Sequence, residues 1–111
     1  MIYLASPYTH VEEWRVEDRF KRACAAVARL SELGLVVYSP IVHFHPVSVR
    51  HKLPGDFAFW KRINFAMIDK ADELRVLQLY GWEDSIGVKA EIEYARGLAL
   101  PIKYEDAEWL R

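Results

Sequence analysis

The sequence contains one cysteine, Cys24, so it can close no internal disulfide. It also has almost no net charge. Fifteen basic and 16 acidic residues leave −1 at neutral pH, which gives no global attraction to nucleic acid or to an anionic membrane. No apolar run approaches the roughly 18 residues of a membrane span. The opening Met1-Ile2-Tyr3-Leu4-Ala5-Ser6 lacks the basic start and the length of a signal peptide. Internal repeats, low-complexity stretches and linkers are absent. These absences lead us to expect a reduced, cytoplasmic protein of one domain, residues 1–111, that binds neither a nucleic-acid polymer nor a membrane.

Apolar residues, in contrast, are plentiful. They make up 52% of the 111 residues, with 14% aromatic. That is enough for one real core and too much for a disordered chain. A small chain this apolar is also expected to share surface with a copy of itself, as a homodimer or larger homo-oligomer.

The hydrophobic spacing predicts strands and helices in alternation. "IYLA", 2–5, is a short buried strand ended by Ser6-Pro7. A helix starting at Thr9 or His10 follows, with Val16, Phe20, Ala23-Cys24, Val27 and Leu30 on one face and Gly34 as its stop. "LVVYSP", 35–40, is a second strand. Residues 39–56 hold Pro40, Pro46, Pro54 and Gly55 and read as a long loop with at most one helical turn, a length usually tied to function. Helical spacing resumes over 56–71 through Phe59 or Trp60, Ile63, Met67 and Ala71, with Asp56 as its N-cap. "ELRVLQLY", 73–80, is a strand covered on both faces. "GWEDS" is a turn, Ser85 caps a helix over 86–98, and "LPIKY", 100–104, is a fourth strand. The acidic-aromatic tail adds at most a last turn of helix. The expected fold is therefore α/β, a single flavodoxin- or Rossmann-like domain. Its parallel sheet has about four strands in the order 2-1-3-4, with helices on both faces.

Such a sheet binds ligands at the carboxyl ends of its strands, beside the switch point between strands one and three. "SPYTH" and "GWEDSIG" leave the sheet there. The second runs into a helix N-terminus, where free N–H groups and the helix dipole suit an anion such as a phosphate. Ser85 can add a hydroxyl, and Gly87 lets backbone approach a ligand closely. Within that helix Lys89, Glu93 and Arg96 form a wet, self-paired face, while Val88, Ala95 and Leu98 form an apolar one. Glu91 falls on the apolar face, about 9 Å of helix below the anion site. A carboxylate there costs several kcal/mol unless it is paired or hydrated. Plainer readings exist for each residue. Ser85 can be an ordinary N-cap, Gly87 a packing glycine, and Glu91 a residue at the stripe's edge that snorkels out to water.

The segments "IYLASPYT" and "ADELRVLQLYGWEDSIGVKAEIEYARGLALPI" resemble the nucleoside 2-deoxyribosyltransferase-like superfamily. Within it the chain looks closest to a small domain-of-unknown-function family of the DUF1937 type, which shares "GW..S.G...E" and a "SPI.H.HP" segment. The superfamily pattern is a strand ending in an Asp, a turn, then Ser-x-Gly-[Thr/Val]-x-x-Glu, which here reads Asp72, Ser85, Gly87, Val88 and Glu91. The resemblance covers most of the chain except 43–56 and the tail. It implies that Glu91 is a nucleophile that attacks C1′ of a nucleoside or nucleoside 5′-monophosphate, forming a glycosyl-enzyme with net retention. It further implies that Ser85 holds a 5′-phosphate and that Tyr3 lies near the sugar. Ser6, Pro7 and Tyr8 would line the pocket, with Tyr8 stacking on the base. Where active members carry an Asp thought to position substrate or protonate the leaving base, this chain has Asn64, which cannot deliver a proton as a carboxyl does. Asp69, on the same helix, is a possible substitute. Trp82 could wall the pocket.

His43, His45 and His51 share the 39–56 segment. His-x-His can chelate zinc, so a metal-dependent hydrolase is one alternative. The reading preferred here keeps His45 for substrate contact or general-acid work and calls for no metal and no cofactor. A non-catalytic nucleotide-binding module is the other alternative, and Asn64 favours it. The leading expectation is hydrolysis of an N-glycosidic bond, with a 5′-monophosphate preferred as substrate.

Overall fold

In a computed structural model that describes residues 1–110, the elements alternate as the spacing predicts. They are β1 (Ile2–Ala5), α1 (Glu13–Glu32), β2 (Val37–Tyr38), α2 (Pro40–His51), α3 (Phe57–Ile68), β3 (Glu73–Gln78), α4 (Ile86–Gly97) and β4 (Ile102–Asp106). Short 3-10 turns cover Trp82–Asp84 and Glu108–Leu110, the second lying in the tail. The sheet order is β2-β1-β3-β4 and every neighbouring pair is parallel. Central β1 pairs Tyr3 with Leu74 and Ala5 with Val76.

Strand alternation divides the core in two. Tyr3, Ala5, Leu74 and Val76 point to one face and pack with Ile68 of α3 and Val88, Ile92 and Ala95 of α4. Leu4 and Leu77 point to the other and pack with Ala26 and Leu30 of α1. Helices therefore cover both faces of the sheet. Among the described residues, no helix is long and apolar enough to cross a membrane.

The largest departure from the sequence reading is at 39–56. Most of this segment is helix, not loop: α2 fills Pro40–His51. The signals for it are local. Ser39 is the N-cap, its hydroxyl accepting the Val42 N–H at 3.1 Å. Pro40 stands at the first helical position, where a missing N–H costs nothing. Pro46 lies inside the helix but on its exposed side, where water can serve the carbonyl its ring leaves free. Lys52 ends the helix in the left-handed region at φ 52°.

Smaller corrections have similar causes. Helix α1 starts at Glu13 and not at Thr9 or His10, because Thr9 donates its hydroxyl to the Gly55 carbonyl at 3.1 Å and is held in the loop. Its buried line is Arg19, Ala23, Ala26 and Leu30, with Val16, Phe20, Cys24 and Val27 half-buried beside it. In α3 the buried residues are Asn64 and Ile68, one position round from the predicted Ile63 and Met67. Asp56 occupies the N-cap position without a capping side-chain bond. Strand β2 keeps only two residues, since it is an edge strand with Leu35 and Val36 exposed. Strand β4 begins two residues later than predicted, at Ile102. Leu98 follows α4 as its C-cap and is 45% exposed. Ile92, not named in the sequence reading, is buried on the apolar stripe with Val88 and Ala95, while Lys89, Glu93 and Arg96 are exposed as expected.

Candidate active site

The carboxyl ends of β1 and β3 open onto a cleft of about 410 Å³. Three segments build its walls. The β1–α1 loop brings Ser6, Tyr8 and Thr9, helices α2 and α3 bring Ile41, Phe44, His45, Phe57, Trp60 and Asn64, and the start of α4 brings Ser85, Gly87 and Glu91. Its size suits a nucleoside-sized ligand.

Glu91 lies at the buried end. It is 4% exposed, and α4 carries it inward beside Val88, Ile92 and Ala95. Tyr3, fully buried on β1, donates its hydroxyl to Glu91 Oε2 at 2.6 Å. Asn64 Nδ2 donates to the same oxygen at 3.0 Å. Among the described residues Oε1 receives no hydrogen bond, so one oxygen is anchored and the other is left for a ligand. Burial pushes the carboxyl up to about 7, and the Tyr3 and Asn64 hydrogen bonds pull against it. The same burial, with the carboxylate beside it, holds the Tyr3 phenol well above its usual range. Tyr3 therefore stays a donor.

Two polar atoms at the cleft are buried and unpaired: Asn64 Oδ1 and Ser6 Oγ, on residues 7% and 8% exposed. An unmet buried acceptor or donor costs about 1–3 kcal/mol. The opposite wall is aromatic. Phe44 packs on Trp60 with ring centroids 5.0 Å apart, and Trp60 Nε1 is tied to the Pro54 carbonyl at 2.8 Å. A flat apolar ligand can lie against this wall.

The mouth carries negative charge. Asp56 and Asp84 line it, both exposed, and among the described residues no lysine or arginine lines the cleft. Ser85 Oγ is engaged as the N-cap of α4, accepting the Val88 N–H at 3.2 Å. A methyl group on Gly87 would stand 3.3 Å from the Phe57 ring, so this glycine lets α3 and α4 close together.

Of the residues named from the sequence, Ser6, Tyr8, His45, Asn64, Ser85, Gly87 and Glu91 meet at this cleft, and Tyr3 braces Glu91 from behind. Four do not. Pro7 is buried outside the cleft lining. Asp69 is exposed and accepts the Tyr94 hydroxyl at 2.5 Å. Asp72 precedes β3, at the far end of the sheet, where it pairs with the Met1 amino group. Trp82 packs on Tyr104 at 5.7 Å. The three histidines do not converge either, because residues two apart on a helix face away from each other. His43 and His51 are exposed, and both nitrogens of His45 are taken. Among the described residues no three His, Cys, Asp or Glu side chains are placed to hold a metal.

Some contributors escaped the sequence reading. Arg19, buried on α1, donates to the Thr9 carbonyl at 2.9 Å, the Tyr8 carbonyl at 3.4 Å and the Tyr80 carbonyl at 3.1 Å. It thus clamps together the two loops that leave the switch-point strands. Burial and the nearby Arg15 lower its guanidinium from the usual range, with Asp18 opposing. Phe44 and Ser48 were hidden by the loop reading. Once Ser39-Pro40 is taken as a helix start, Ile41, Phe44, His45 and Ser48 fall on one face at three-and-four spacing.

No curated protein matches the sequence. One family model does, over residues 1–104, and with that span matched the chain belongs to the family described as a domain of unknown function, DUF1937.

Proposed function

We propose that this protein cleaves the N-glycosidic bond of a nucleoside through Glu91. One observation carries the reading: a buried carboxylate with Oε2 held by two donors and Oε1 left for an aromatic-walled cleft. Such a carboxylate supplies the nucleophile of a retaining glycosidase. Oε1 attacks C1′ from the face opposite the base. The C1′–N bond breaks, and its electron pair leaves with the base, which takes up a proton. Water then attacks C1′ of the glycosyl-enzyme and releases Glu91 as the carboxylate. The transition state carries oxocarbenium charge, which the adjacent carboxylate stabilises. Likeness to the nucleoside 2-deoxyribosyltransferase-like pattern supports the same assignment.

The electrostatics favour a neutral nucleoside over the 5′-monophosphate. The N-terminus of α4 offers about half a positive charge. Asp56 and Asp84 set two negative charges against it, with no lysine or arginine in the lining among the described residues. Hydrolysis is preferred to base exchange. Base release measured by chromatography tests this, with nucleosides and 5′-monophosphates of both sugars, with and without a second free base. Free base from the wild type but not from Glu91→Ala is the expected result. Silence from both across the panel overturns it. A second reading, a nucleoside-binding module without catalysis, is favoured by Asn64, which offers no acidic proton. Saturable binding without base release would select it.

A further inference from the structure

Asn64 leaves the proposed reaction without a carboxylic acid beside the departing base, and the cleft holds another possible source of the proton. Tyr8 and His45 both line it. The Tyr8 hydroxyl lies 2.6 Å from His45 Nδ1, and His45 Nε2 lies 2.8 Å from Glu17 Oε2. His45 is 6% exposed and stacked on Phe20, with ring centroids 4.3 Å apart. Arg19 holds the Tyr8 carbonyl and so fixes the backbone that presents the phenol. Glu17 is half-exposed, so the chain of bonds runs from the cleft to solvent. Both imidazole nitrogens are occupied, which prevents His45 from reaching a substrate itself.

We infer that Glu17, His45 and Tyr8 form a proton relay in which Tyr8 is the group that protonates the departing base. This rests on the nucleoside-cleavage reading above. With both ring protons present, Nε2–H donates to Glu17, Nδ1–H donates to the Tyr8 oxygen, and the Tyr8 O–H points to the base. As C1′–N breaks, the base nitrogen takes the Tyr8 proton with the bond's electron pair. Tyr8 takes the Nδ1 proton, leaving neutral imidazole on Glu17. When water opens the glycosyl-enzyme its proton returns through Tyr8 to Nδ1, and the cycle closes. The order carboxylate, imidazole, hydroxyl follows the logic by which a base is oriented by a third group. Tyr8 is the catalytic residue here, and His45 and Glu17 are positioning residues.

The test compares two leaving groups. A nucleoside needs its base protonated, whereas a 4-nitrophenyl riboside or deoxyriboside releases a stable phenolate without help. Tyr8→Phe is expected to lose about 100-fold or more in kcat/KM on the nucleoside, and about fivefold or less on the nitrophenyl glycoside. His45→Gln and Glu17→Gln should lose less, with the same leaving-group selectivity. Surviving turnover of the nitrophenyl substrate shows that each variant is folded. Equal loss on both substrates, or no loss with Tyr8→Phe, overturns the relay. So does a leaving-group selectivity that appears in Asp84→Asn instead. Glu91→Ala separates the two claims. If it abolishes both reactions while Tyr8→Phe is unselective, the relay alone fails. If the wild type cleaves neither substrate, the cleavage reading fails and the relay with it.

Discussion

Replacing Glu91 by Gln should make the protein more stable and, under the proposal, inactive. Gln keeps an oxygen that can accept from Tyr3 and Asn64, and it removes the charge that burial penalises. The magnitude follows from the carboxyl's position at about 7 in the fold against 4.5 in an ordinary environment. A folded-state value raised in this way means that the fold prefers the protonated acid. The stability it carries is fully present below the unfolded value, near 4.5. It is lost as pH rises, and is gone above about 7. At about 1.4 kcal/mol per unit the whole difference is about 3 kcal/mol. Glu91→Gln should thus match the wild type within about 1 kcal/mol at pH 5 and exceed it by about 3 kcal/mol at pH 8. For a chain of this length that is a rise of roughly 10 °C in Tm at pH 8. Urea unfolding of both proteins at the two pH values measures it. An equal or lower stability for Glu91→Gln at pH 8 would refute the claim that burial of this carboxylate is costly.

Other expectations follow from the same contacts. If the ionised form attacks C1′, the acid limb of the kcat/KM profile for the nucleoside should rise through pH of about 7. Tyr3→Phe removes a donor that holds the carboxylate down, so this rising limb should move to higher pH, with about 1–3 kcal/mol of stability lost at pH 8. An unmoved pH profile would show that the phenol does not tune Glu91. Ser39→Ala and Ser85→Ala should each cost about 1 kcal/mol in urea unfolding, as loss of an N-cap does. Gly81→Ala should cost about 1–2 kcal/mol. Its φ is +85°, and a methyl group there would meet Arg19 Nη2 at 3.0 Å, loosening the clamp on both cleft loops. Wild-type stability in that variant would show that the clamp is dispensable.

Much of the site is legible in the sequence. Glu91 stood out because a carboxylate on an apolar helix stripe conflicts with its neighbours, and such conflicts mark functional positions. Its hydrogen-bond partners were not legible as partners. Tyr3 and Asn64 are 88 and 27 residues away in sequence, and only the parallel pairing of β1 with β3 and the packing of α3 on α4 bring them to one oxygen. Asp72 and Asp69 show the opposite failure. Each lies close in sequence to a strand of the switch point, but one lies at the wrong end of that strand and the other faces solvent. The loop reading of 39–56 hides helix α2 because it takes proline as a breaker without regard to position. At Pro40 it starts a helix, and at Pro46 it is tolerated on the wet side.

The sequence by itself determined the alternation of strands and helices, the parallel order 2-1-3-4 and the end of the sheet where a site would form. Those follow from periodicity, capping and the handedness of crossovers, which are local or nearly so. The tertiary structure alone decided which oxygen of Glu91 is anchored, that Arg19 ties the cleft loops together, and that His45 joins Tyr8 to Glu17. Each of these depends on distances between side chains far apart in the chain. Hydrophobic spacing records which face of an element is buried, not which polar group waits for it on the other side.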